Sequence, residues 1–87
     1  MYPLTLKEKD IKRLVGPAPV NVWPHSDLPD DLKNIVLNGD DVDWLIFVEK
    51  KFFKFHGETE TWLRTMIWES THQFHVNKKY VLLVKSH

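Results

Sequence analysis

No cysteine occurs anywhere in the 87 residues, so a disulfide framework, a thiol nucleophile and a cysteine-based zinc site are all excluded. A chain this small must then gain its stability from packing or self-association. Glycine occurs three times, never in a phosphate-cradling loop. The longest apolar run, WLIFV at 44–48, is far too short to span a bilayer. The start, MYPLTLKEKD, lacks the basic and then apolar pattern of a signal peptide. The expectation is a soluble, cytoplasmic protein with no membrane partner. An excess of either charge is also missing, since 12 basic residues balance 12 acidic ones. That balance argues against a protein whose main task is coating phosphate backbones.

What is present is apolar and aromatic. Hydrophobic residues make up 43% of the chain and include four tryptophans, which predicts a real core in one small domain spanning residues 1–87. The neutral total hides an asymmetry. Residues 1–43 hold five bases against eight acids, and residues 44–87 hold seven bases against four acids and four of the five histidines.

Thr5-Leu6-Lys7-Glu8 has the form of a capping box, and Leu6, Ile11, Leu14 and Val15 follow at helical spacing before Gly16-Pro17, predicting a helix over 6–15. Residues 16–26 hold three prolines and read as a connector, in which VNVW can add a short edge strand. Pro29, Asp30, Asp31, Leu32, Ile35 and Val36 predict a second helix over 29–37, closed by Asn38-Gly39. DWLIFVE, from Asp43, reads as a buried strand. KKFFKFHG follows so closely that a tight turn at 49–51 and a second antiparallel strand are expected, with Phe53 and Phe55 on one side and Phe52, Lys54 and His56 on the other.

Residues 58–76 fit two readings. As a helix over 59–73, Leu63, Met66, Ile67, Ser70 and Phe74 share a face and Trp68 points outward. As strand, FHVNKKYVLLV resembles a hairpin turning near Asn77-Lys78. The single coherent face favours the helix. KYVLLVK is a strand in either case. The fold class is α+β: two N-terminal helices, a β-hairpin, a third helix and a C-terminal strand, forming a small antiparallel or mixed sheet with helices on one face. The alternative makes the C-terminal half an all-β four-stranded meander.

Chemical machinery is sparse. On a helix, Glu69, His72 and His75 share a direction, but HxxH supplies too few zinc donors and the HExxH pattern is absent. In NGDDVD the acids follow the glycine, against the calcium-loop order, so a polar turn is expected. Serine stands only at 26, 70 and 86, never in a nucleophile motif. No catalytic residue, metal site or cofactor is assigned, and a non-enzymatic role is expected.

The expected function is a protein-interaction domain, an adaptor, inhibitor or regulatory subunit binding a larger macromolecule. Trp68 is the preferred anchor. The acidic stretch 27–43, with Asp30, Asp31, Asp40 and Asp41, would steer a basic protein partner. The alternative is a single-stranded nucleic-acid module using Lys50, Lys51, Phe52, Lys54 and His56, rings for bases and lysines for phosphates. A leftover edge strand would also permit a homodimer.

Overall fold

The computed structural model describes residues 4–87. Its helices are α1 (Glu8–Leu14), α2 (Lys50–His56) and α3 (Thr61–Glu69), and its strands are β1 (Val20–Pro24), β2 (Val36–Leu37), β3 (Asp40–Glu49), β4 (His72–His75) and β5 (Tyr80–Ser86). The strands form one antiparallel sheet in the order β1-β3-β5-β4, with β2 paired to the start of β3. The protein is thus α+β.

The runs WLIFV and YVLLV become β3 and β5, the two central strands. Each is apolar throughout because each is buried on both faces. Leu45 and Phe47 face one side with Tyr80, Leu82 and Val84, where Ile11 and Leu14 of α1 meet Leu4, Leu6, Leu28, Leu32, Ile35 and Leu37. Ile46 and Val48 face the other with Val81 and Leu83, beneath Leu63 of α3 and the partly buried Phe52, Phe53, Met66 and Ile67. Helices therefore cover both faces of the sheet, not the single face expected from sequence. A register shift between Val42 and Trp44 lets Val42 join Leu45 on the α1 side although they are three residues apart.

Several local expectations give way to long-range pairing. Helix α1 starts at Glu8 with no side-chain cap, because Thr5 is engaged elsewhere. Its hydroxyl accepts the Val36 N–H at 3.1 Å and its own N–H donates to the Val36 carbonyl at 3.2 Å. The second helix over 29–37 is absent. Asp30–Leu32 makes one 3-10 turn, and Val36–Leu37 goes instead into β2. Asn38 and Gly39 take φ of 53° and 87°, the positive values that a two-residue hairpin turn requires, and so fold β2 onto β3.

The hairpin expected after β3 is also absent. KKFFKFH is α2, and the backbone leaves the sheet where the Lys50 N–H donates to the Lys79 carbonyl. Helical period sends Phe52 and Phe53 to the core and leaves Lys51, Lys54 and Phe55 exposed, so Phe55 faces opposite to the strand expectation. Gly57 closes α2; a Cβ there would stand 2.6 Å from the Phe53 carbonyl oxygen.

Both readings of 58–76 hold in part. The helix ends at Glu69, where the Ser70 hydroxyl donates to the Ile67 carbonyl at 2.6 Å, and His72–His75 then pairs with β5. The β4–β5 turn is held by Asn77, whose side-chain oxygen accepts the Lys79 and Tyr80 N–H groups at 2.8 and 2.7 Å. Among the described residues no helix is long and apolar enough to cross a membrane.

Phe47 is 0% exposed and Phe55 is 69% exposed, which makes the pair a direct test of this layering. Phe47→Ala is expected to cost about 3–5 kcal/mol in urea unfolding, through lost transfer energy and a cavity. Phe55→Ala is expected to stay within about 0.5 kcal/mol of wild type.

Candidate interaction surface

Helices α2 and α3 turn their apolar sides to the sheet and cannot bury the aromatic residues that remain. Leu63, Met66 and Ile67 take the inward stripe of α3, so Trp62 and Trp68 flank or oppose it. Trp62 is 44% exposed and lies beside Phe52, with ring centroids 6.1 Å apart. Phe52 in turn lies against the His56 ring at 4.5 Å. Trp68 is 90% exposed, and its ring makes no hydrogen bond or ring contact among the described residues. The other two tryptophans are structural. The Trp23 indole donates to the Leu14 carbonyl at 2.8 Å, tying β1 to the end of α1, and Trp44 packs partly buried against the α2–α3 side of the core.

The acidic residues expected to accompany Trp68 do not share its face. Asp30 and Asp31 belong to the 3-10 turn whose Leu32 packs on the α1 side of the sheet. The Asp31 carboxylate is held by both guanidinium nitrogens of Arg13, at 2.8 and 3.2 Å, and Arg13 also donates to the buried Asp10 at 3.4 Å. The Arg13 hydrogen bond lowers the Asp31 pKa, and the Asp31 hydrogen bond raises that of Arg13. This pair links α1 to the 3-10 turn. Asp40 and Asp41 are exposed where β3 begins, and His87 donates its N–H to the Asp41 carbonyl and contacts the Asp43 carboxylate.

The basic segment is differently arranged. Lys51 and Lys54 are exposed on α2, Lys50 is half-buried, and Phe52 and His56 are partly buried rather than spread on an open sheet. Lys78 and Lys79, which the sequence reading did not include, join Lys50 and Lys51, because the Lys50 N–H bonds to the Lys79 carbonyl. Charge is therefore sorted along the strand direction. Asp40 and Asp41 stand at one end of the sheet, with Asp43 a few residues in, and the four lysines at the other, about 30 Å from Asp40 along a ten-residue strand. The missing signal was a backbone contact between segments 29 residues apart in sequence, Lys50 and Lys79.

Other constellations dissolve in the fold. His72 and His75 lie on a strand and face opposite sides, and no group of three His, Asp or Glu among the described residues is arranged to hold a metal ion. His25, Asp41, Asp43 and His87 line an open cleft of about 490 Å³, and Phe53, Gly57 and Ile67 another of about 440 Å³ between α2 and α3. Neither brings a nucleophile beside a base. Comparison with known proteins adds no identity: no family model, no curated protein and no solved structure matches the chain.

The Arg13–Asp31 pair has a defined pH signature. Since the Asp31 pKa is lowered below 3.8 on folding, its contribution is present above that value and is lost as pH falls through the folded one. Asp31→Asn is expected to be slightly less stable than wild type at about pH 7, with the gap closing as pH falls through the folded-state value. Thermal melts across that range check this, and a gap independent of pH would remove the pair from the account.

Proposed function

We propose that the protein is an interaction domain, an adaptor, inhibitor or regulatory subunit, that binds another protein through the outer face of α2 and α3. The exposure of Trp68 carries this reading. A large ring left 90% in water gains more by burial at an interface than almost any other residue. Phe55 and Trp62, also exposed, widen the apolar area around the two helices. The acids Asp40 and Asp41 contribute steering toward a basic partner, while Asp30 and Asp31 act on the opposite layer. Trp68→Ala is expected to abolish capture of a defined protein partner by the tagged chain, at high salt and after nuclease, with a melting curve like that of wild type. Loss of fold in this variant, or undiminished capture, would remove Trp68 as the anchor.

A second reading draws on the lysine cluster. Lys50, Lys51, Lys78 and Lys79 meet at one end of the sheet, with Lys54 a turn further along α2, and Phe52 and His56 beside them. Four phosphate contacts on a single strand would give a salt slope of about −3 in log K against log salt. Lys50→Glu with Lys51→Glu is then expected to weaken binding of a homopolymeric oligonucleotide by tenfold or more. Binding indifferent to salt would exclude this reading.

A further inference from the structure

The cations around α2 and α3 have no carboxylate of their own. Lys50, Lys51, Lys54 and Arg64 form no ion pair among the described residues, and neither do Lys78 and Lys79. The open cleft of about 440 Å³ between the two helices has Phe53, Gly57 and Ile67 as its apolar lining and the exposed Lys54, Glu58 and Arg64 as its rim. Gly57 keeps it open, since a Cβ there would already stand 3.6 Å from Ile67 Cδ1. Arg64 is held at the rim by donating to the Glu58 carbonyl at 3.4 Å.

From this hollow the basic residues continue in one direction. Lys50 precedes Lys54 by one helical turn and lies on the same side of α2. Its backbone N–H donates to the Lys79 carbonyl, which brings Lys78 and Lys79 of the β4–β5 turn alongside. An apolar cleft therefore opens onto a track of unpaired lysines, with Glu49 and Glu58 the acids beside it. Charge complementarity then asks for one large apolar side chain with carboxylates next to it.

We propose that the α2–α3 cleft binds an acidic segment of a protein partner, with a large apolar side chain entering between Phe53 and Ile67 and the adjoining carboxylates lying on Arg64, Lys54 and Lys50. This names the chemistry of the partner and rests on the reading of the α2–α3 face as a protein interface. Trp68 stands four residues beyond Arg64 on the same side of α3, so one partner reaches both. Asp40 and Asp41, at the far end of the sheet, face another part of it. A single nucleic-acid strand fits the cleft less well, because the cleft offers one ring, Phe53, where a strand stacks successive bases.

The probe is an end-capped synthetic peptide with one leucine between two short runs of glutamate, titrated into the isotope-labelled full chain and followed by NMR. The Gly57 and Ile67 resonances are expected to shift, with a Kd between about 0.1 and about 1 mM. Replacing the leucine by alanine, or every glutamate by lysine, is expected to remove these shifts. Lys54 and Arg64 are both exposed, so Lys54→Glu with Arg64→Glu leaves the chain folded. That variant is expected to bind the glutamate peptide about tenfold more weakly and to admit the lysine peptide. Unmoved Gly57 and Ile67 resonances overturn the proposal. So does equal binding of the alanine peptide, which reduces the site to charge alone, or tighter binding of oligothymidylate, which favours nucleic acid. Partner capture that is lost in Trp68→Ala while the glutamate peptide fails to bind keeps the interface and removes only its acidic occupant. Peptide binding with undiminished capture in Trp68→Ala removes the anchor and upholds the cleft.

Discussion

The ladder between β3 and β5 is the constraint on which the rest of the structure rests. Its seven registered pairs run from Val42 with Ser86 to Glu49 with Tyr80, and the side chains of its centre, residues 45–48 and 80–84, are all buried. A strand buried on both faces needs cover on both, and each half of the chain supplies one cover. Residues before β3 form α1, the 3-10 turn and β2 on one side, and residues between β3 and β5 form α2 and α3 on the other. Two-sided cover lets a small chain bury most of its large aliphatic residues around one thin sheet.

That arrangement also dictates what is left outside. A short helix lying on a sheet has one inward stripe, and α2 and α3 carry more aromatic residues than their stripes hold. Phe52, Phe53 and Leu63 go in, while Phe55, Trp62 and Trp68 stay out. The antiparallel ladder meanwhile turns an asymmetry along the sequence into one along the strand axis. Acids at the start of β3 and lysines following it are carried to opposite ends, and the β4–β5 turn adds Lys78 and Lys79 to the basic end. The neutral total is thus compatible with two local fields of opposite sign.

Where the sequence reading departs from the structure, competing local signals explain the departure. Leu32, Ile35 and Val36 sit at helical spacing, but a β-branched pair followed by Asn38-Gly39 is equally a hairpin arm, and a partner strand was available in β3. Thr5 suits a cap, yet Val36 offers it two backbone bonds. KKFFKFH has adjacent phenylalanines, which fit a period of 2.0 or 3.6 until one knows which surface they must meet. HQFH lies within the span of a good helical face, and became a strand because β5 needed a second neighbour.

The candidate surface divides in the same way. The outward direction of Trp68 was legible, because it follows from helical period relative to Leu63, Met66 and Ile67 within one short element. So were the apolar runs of β3 and β5, the Asn38-Gly39 turn and the α+β class, each of which depends on residues adjacent in the chain. The grouping of Lys78 with Lys50 and the separation of Asp31 from Trp68 by the thickness of the sheet depend on which distant segments pair. Period and propensity act over a few residues. Strand order and the choice of covering layer are settled by the burial of both faces of β3 and β5, a requirement no single segment carries.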